Sequence, residues 1–507
     1  MGLTGWLRWT WRQLTSMRTA LVLLFLVALG AVPGSIFPQR GMNPERVVQY
    51  FDEHKTLAPI LDRFSAFDVF AAPWFAAIYI LLFVSLAGCV IPRTWQLLQN
   101  VRAQPPSTPR NLGRLPQHAT FTSAKTPDEA LAEAHALLKG RRFRTALADG
   151  SVASEKGYLH ETGNLVFHLS LLALLFSVGM GALFGYKGNV LVTEGLGFSN
   201  SASQYDEFRP GKLVDATELD PFRVTVKDFQ ADYITEGPQY GQAKDFAARL
   251  GYQGSSGAAE KDYTLRVNHP LEIDGSKLYL LGHGYSPTFK VTDAKGDVAF
   301  NGPAPFLPQD QGSLTSEGVV KALDAKPEQL AFMAVFWPTA SRSADGKTIV
   351  SVFPGPENPA VSIAGVFAGD VSKGPRSVYR IDPSMLTRLK TETNVLTVGQ
   401  SLKFPDGKGS VEFTGYKEWV TLTVTHDPGR LPALISAALA IAGLVVSFMT
   451  RRRRVWVRAA AADDGSTVVE IGGLTLGAPT AEFDDLVKAL RPDDAPTEPV
   501  AAGSTKE

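Results

Sequence analysis

Four stretches of the chain, 19–37, 73–92, 164–184 and 431–449, are almost free of charge and run for about 20 residues each. At ~1.5 Å per residue each is long enough to cross the ~30 Å of bilayer hydrocarbon, so the pattern predicts four transmembrane helices. Between them the periodicity changes. In 38–72, "NPERVVQYFDEH" and "LAPILDRFSAFDVFAAPW" place apolar residues at helical spacing with acids opposite, as short helices lying along a membrane surface do. In 93–163, "QHATFTS" reads as a strand. "TPDEALAEAHALLKG" reads as a helix with Thr126 as N-cap, Pro127 first, Glu129 closing a capping box and Gly140 at the end. "RRFRTALADGSVASEK" reads as a hairpin turning at Ala148-Asp149-Gly150.

Segment 185–430 repeats strand signals such as "FRVTVKDFQADY", "YTLRVNHPLEI", "KLYLLGHGY", "TFKVTD", "AFMAVFWP", "VSIAGVFAGD" and "VEFTGYKEWVTLTVTH", divided by Gly, Pro and Asp turns. After Arg454 come a strand, "STVVEIGGL", and an amphipathic helix, "TAEFDDLVKAL"; from Arg491 onward the composition is that of a disordered tail. The fold class is an α+β membrane protein with four transmembrane helices, a large extracytoplasmic β-rich domain of sandwich or barrel type, and a small cytoplasmic α/β insert.

Lys+Arg and Asp+Glu number 50 each, so overall charge points to no nucleic-acid partner. Distribution says more. Arg8, Arg12 and Arg18 precede the first span, Arg93 and Arg102 follow the second, Arg141, Arg142 and Arg144 precede the third, and Arg451 to Arg454 follow the fourth. The positive-inside rule then makes 1–18, 93–163 and 450–507 cytoplasmic, and 38–72 and 185–430 extracytoplasmic. "ALVLLFLVALGAVPG" also resembles a signal-peptide core, but the start "GWLRWTWRQLTSMR", with Trp6, Trp9 and Trp11, reads as an interfacial anchor.

Cys89 is the only cysteine. It excludes a Cys-x-x-Cys redox pair and a c-type haem attachment site in this chain, and it reads as a small apolar packing residue. Phosphate-loop, zinc-protease and serine-hydrolase motifs are also absent. The informative residue is His168, inside "GNLVFHLSLLALLFSVGMGALFG". An imidazole at that depth serves to bond a neighbouring helix, relay a proton or ligate a metal. Asn164, one turn earlier, is placed for its amide to hold one ring nitrogen and free the other, and His160 faces the same way nearer the surface. His269, His283 and His426 sit at predicted turns or strand ends, where they satisfy local backbone or serve a site. Gly181 and Gly185 have the spacing that admits a second helix.

The stretches "LTSMRTALVLLFLVALGAVPGSIFPQ", "LDRFSAFDVFAAPWFAAIYILLFVSLAGCVIPR", "GNLVFHLSLLALLFSVG", "KLYLLGHGYSP" and the "DPG" before the last span resemble the ResB family of cytochrome c biogenesis proteins, over about residues 12 to 450. The resemblance implies a membrane subunit of a System II complex in a bacterial cytoplasmic membrane. Such a subunit works with a CcsA/ResC-type multi-span partner to carry haem across the bilayer and attach it to apocytochrome c, while other pathway members reduce the thiols. On that reading His168 is an axial haem ligand, Asn164 its supporting residue and His160 a weaker candidate. The chain has no tryptophan-rich haem platform, so it is a non-catalytic or co-catalytic subunit. The competing readings are a membrane-anchored sensor with an outer binding domain and a scaffold that stabilises the partner without touching haem.

Overall fold

Each apolar run forms a helix. In the computed structural model, residues 2–491 are described apart from 103, 149, 158, 256, 374–380, 390–394, 464 and 476–480. The helices in chain order are α1 (Leu3–Leu14), α2 (Met17–Ile36), α3 (Pro44–Glu53), α4 (Leu57–Arg63), α5 (Pro73–Arg102), α6 (Pro127–Gly140), α7 (Leu159–Phe184), α8 (Arg430–Met449) and α9 (Ala481–Leu490). Of these, α2, α5, α7 and α8 are long and apolar enough to cross a membrane. α5 continues well past the predicted end at 92, because Pro92 is tolerated within it. The chain divides into two units, residues 1–178 with 430–507, and residues 179–429.

In the first unit, the corner between α1 and α2 seats on α5. A helix end leaves carbonyls without intrahelical partners, and in an apolar setting they must be met by side chains. The Ser85 hydroxyl donates to Leu14 O at 2.6 Å and the Cys89 thiol donates to Thr15 O at 2.7 Å. Gly88 lies between them because a Cβ there would strike the Thr15 side chain. The stretch "SLAGC" is thus a socket.

Residues 38–72 fold onto a core of Val47, Ala58 and Phe67 rather than trailing as a loop. Gln39 is buried with its amide fully used: Nε2 donates to Phe37 O and Ala66 O, and Oε1 accepts from Val69 N–H. Arg40 bridges Asp62 and Asp68.

The predicted capping box of α6 is present, with Thr126 and Glu129 in reciprocal bonds. α6 packs on an antiparallel sheet whose strand order is Gln117–Ser123, Thr467–Thr475, Arg453–Ala461, Ser151–Lys156, Arg144–Ala148. Two central strands therefore come from the C-terminal segment, which joins residues 117–156 in one domain. α9 closes the core with Phe483 and Leu486. Strands pair on both sides of the predicted hairpin turn, but its Asp149 lies outside the described residues, as does the tail expected to be disordered, 492–507.

The second unit is built of sheets, and among its described residues between 186 and 426 the only helical elements are short 3-10 turns. "KLYLLGHGY" and "TFKVTD" are one strand, Ser276–Asp293, not two. It pairs along its length with Gly409–His426. Ser286-Pro287 does not break it: Pro287 stays in register with Tyr416, and a register shift follows between Thr288 and Phe289.

These two strands serve two cores. Leu278, Val420, Leu422 and Val424 face one, against a four-stranded sheet containing Val224 and Leu250. Tyr285, Phe289, Val291, Val411 and Phe413 face the other, against a sheet containing Phe332 and Ile363. The register shifts leave Leu281 and Thr414 unpaired, so the inward positions change from even to odd on both strands. The result is two β-sandwiches sharing a central sheet.

Where the cores meet, the buried Trp419 indole donates to Tyr285 O and Phe306 O, both at 3.0 Å. Gly284 opposes it, and a Cβ at 284 would occupy the indole's position. Gly284→Ala should therefore cost about 1–3 kcal/mol through overpacking. That would lower the melting midpoint of this unit by roughly 2–4 °C per kcal/mol. A wild-type thermal transition, followed by circular dichroism, would show that the indole shifts without cost.

Candidate functional site

α7 carries the intramembrane-type histidine, and its position is set by backbone contact with α8. At Gly163 a Cβ would lie 2.6 Å from Gly443 O and Ser447 N, and at Gly443 one would lie 2.7 Å from Gly163 O and Phe167 N. Only glycines allow this approach, the small-residue packing typical of helices in an apolar medium. The buried face of α7 continues through Ser170 and Ser177. His160 belongs to this contact: its Nδ1 donates to Ser447 O at 2.7 Å. It does not line the cavity described below. The pair Gly181 and Gly185 does not receive a helix. Gly181 faces the Asp427 carboxylate and Gly185 faces His426 O.

Charge reinforces the α7–α8 contact. Glu155 is 1 % exposed and bonded by Arg452 and Arg454, the latter at 2.9 Å, and Arg452 also binds Glu161 in the first turn of α7. Arg453 and Lys156 share Glu482 of α9. The arginine run is therefore largely paired within the domain. Gly157, at φ +96°, makes the turn into α7 pressed on Arg451 O, where no side chain fits.

His168 is half-buried and its Nδ1 bonds Asn164 O at 2.8 Å. The supporting group is the main-chain carbonyl, not the Asn164 amide that spacing suggested. A carbonyl can only accept, so it fixes Nδ1 as the protonated nitrogen and leaves the Nε2 lone pair available. No hydrogen bond to Nε2 is present among the described residues. The ring lines a partly open cavity of about 580 Å³ bordered by α2, α5 and α7, with an apolar wall in which leucine is the commonest residue and with Cys89, Arg93, Gln96, Glu161 and Asn164 as its other polar residues. This volume and this mixture of apolar wall and few polar groups are those of a site for an organic ligand. Tyr79 ties α5 to α7 by donating to Leu175 O at 2.5 Å. Asn164 and His168, expected on one face of α7, both line this cavity; Cys89, Arg93 and Gln96 of α5 join them there, a placement that only helix packing shows.

The other histidines are held locally. His269 bonds Val267 O at 3.1 Å in a turn, and His426 stacks on Tyr186. His283 lies among Phe229, Tyr233 and Phe246, with Tyr233 Oη 3.3 Å from Nε2, and burial pushes its imidazole down to about 4. Beside this aromatic cluster, a cavity of about 470 Å³ is bordered by Glu194, Tyr416 and Glu418. Burial, then the neighbouring Glu194, pushes the Glu418 carboxyl up to about 8.

Because Glu418 takes up its proton more readily when folded, its contribution to stability is full below its ordinary value and is lost as pH rises through about 8. For His283, with the folded value depressed, the contribution is present above the ordinary value and is lost as pH falls through about 4. Glu418→Gln should therefore raise the thermal midpoint of the β unit increasingly from pH 5 to pH 9. An equal effect at both ends would show that the carboxyl is not held neutral.

A ResB-like family model matches residues 17–484. A cytochrome c biogenesis protein CcsB of Synechococcus sp. (strain WH7803) is 28% identical over 271 residues, 52% of this chain and 58% of the relative. One of Prochlorococcus marinus (strain MIT 9303) is 25% identical, covering 67% of this chain and 80% of the relative. One of Prochlorococcus marinus (strain NATL1A) is 21% identical, covering 94% and 97%. Against the Synechococcus relatives, the chain spans a little over half of their length.

Proposed function

The chain belongs to the ResB-like family, and on that premise we propose that it is a membrane subunit of a System II cytochrome c synthetase that takes haem as its cargo and holds the iron through His168. The observation that carries this reading is the Nδ1–H bond from His168 to Asn164 O, with Nε2 left free on the wall of a leucine-lined cavity. A metal-ligating histidine is normally oriented by a bond from its other nitrogen to a carbonyl. Imidazole is an ordinary axial ligand of haem iron. The residues present fit an iron porphyrin: one nitrogen ligand, apolar walls for the macrocycle and polar groups for its carboxylates.

A multi-span partner of CcsA/ResC type supplies the second axial ligand and the outer haem platform, and thiol-reducing proteins prepare apocytochrome c. The subunit is co-catalytic, since it brings the cargo and not the ligation chemistry. His160, engaged with Ser447, steadies α7.

The four apolar helices cross the bacterial cytoplasmic membrane, with 1–18, 93–163 and 450–507 inside and 38–72 and 185–430 outside. Support comes from the shared sheet: strands that follow α5, precede α7 and follow α8 lie side by side, so those three helix ends face one compartment. The arginines mark that compartment as the cytoplasm.

In a Cys89→Ala background, a membrane-impermeant maleimide applied to spheroplasts should label Ala294→Cys and spare Ala132→Cys, both exposed positions. The reverse pattern, or equal labelling, contradicts the topology. His168→Ala should insert normally, because loss of an imidazole eases burial in lipid. It should nonetheless abolish or shift the haem spectrum of the chain co-purified with its partner, with partial recovery in added imidazole. His160→Ala should keep that spectrum. Wild-type spectrum and cytochrome c maturation in His168→Ala would leave the histidine a packing residue and favour a scaffold.

A further inference from the structure

We propose that Arg93 and Gln96 form the anion-recognising end of the His168 cavity, binding a carboxylate of the iron porphyrin while its metal faces Nε2, so that the ligand sits in one orientation. The inference rests on the haem-binding reading above and adds the direction in which the cargo is held and the groups that set it.

The cavity is polar at one end only. Tyr79 bonds Leu175 O, which sets one level common to α5 and α7. From that level, seven residues along α5 reach Leu86 and seven back along α7 reach His168; fourteen reach Arg93 and Glu161. At ~1.5 Å per residue, His168 therefore lies about 10 Å along the helices from the level shared by Arg93 and Glu161. Beyond His168 in the other direction the same walls offer Leu82, Leu174 and Leu24. Asn164 and Gln96 add amide donors on the polar side.

The two charges at that end are not equivalent. The Glu161 carboxylate is taken by Arg452. The Arg93 guanidinium has no ion pair among the described residues. The cavity rim thus presents an exposed planar cation, without an ion pair among the described residues, whose fork of N–H groups matches a carboxylate. An arginine that served only to mark the cytoplasmic side would explain its place on the chain. It would not explain two amide side chains, Gln96 and Asn164, that line the same end of the cavity with it, near a carboxylate neutralised from elsewhere; Arg93, Gln96 and Asn164 are all exposed at the cavity's rim.

The test uses the full-length chain in lipid nanodiscs, titrated with ferric haem and with its dimethyl ester, which keeps the metal and macrocycle but cannot present a carboxylate. Wild type should bind the free acid about tenfold more tightly than the ester, the scale of one charge-assisted hydrogen bond. Arg93→Gln should lose that preference while its ester affinity and Soret position stay as in wild type, and Arg93→Lys should keep part of it. Retention of the full preference in Arg93→Gln overturns the proposal. So does equal loss of both ligands in Arg93→Gln and Arg93→Lys, the mark of a structural arginine. A wild-type chain with no His168-dependent Soret band for either ligand overturns the haem-binding reading itself, and the inference with it.

Discussion

The contact on which the rest depends is backbone against backbone, Gly163 on Gly443. α7 leads into the β-rich segment and α8 leads out of it, while the opposite ends of the same two helices continue into adjacent strands of the mixed sheet. Holding the helices at glycine distance lets Ser151–Lys156 and Arg453–Ala461 pair. That pairing brings Glu155 beside Arg452 and Arg454, and it brings Arg452 to Glu161. A nearly unexposed glutamate is tolerable because two guanidiniums meet it; with neither present the buried charge would be uncompensated, at a penalty of several kcal/mol, typically ~3–5. Close packing and charge pairing are thus one arrangement, and the orientation of His168 on α7 follows from it.

Much of this was legible where local chemistry decides. The apolar runs gave the helices, and the Thr126 capping box appeared as read because its bonds span three residues. What stayed hidden was long-range. Nothing local tells that "STVVEIGGL" pairs with "QHATFTS", about 350 residues away, at ~350 in sequence separation. The spacing of Gly181 and Gly185 imitates a helix-packing signal, yet both accommodate the Asp427 and His426 segment, and the glycine that does receive a helix, Gly163, has no small partner at that spacing. Ser286-Pro287 separates two of the strand signals, yet Pro287 pairs with Tyr416 within one continuous strand, a long-range partner that the local signal does not contain.

Several polar residues of the apolar helices serve as ties between segments. Ser85, Cys89 and Tyr79 each donate to a main-chain carbonyl of a neighbouring segment, and Ser177 donates to the carbonyl a turn before it. Each is thereby satisfied, and the first three each fasten one segment to another. The family-like words around them, "SLAGC" above all, record sockets and ties, not reacting groups. "GHGY" in the β unit is similar: Gly284 makes room for Trp419, and the Tyr285 hydroxyl donates to Pro354 O at 2.7 Å.

His168 is not such a tie, and its geometry satisfies only half of it. A histidine retained for packing could turn both nitrogens to the backbone of other helices, as His160 turns its Nδ1 to α8. Here Nδ1 is spent on the residue's own helix, which fastens nothing to anything else. An acceptor left without a donor in an apolar site costs about 1–3 kcal/mol, with no tertiary contact in return. The same bond raises the electron density on Nε2 and fixes its direction, which suits it to accept a proton or to ligate a metal. The arrangement thus adds no tie between segments and leaves a directed lone pair on the wall of a cavity, which is the geometry that the proposed coordination by His168 calls for.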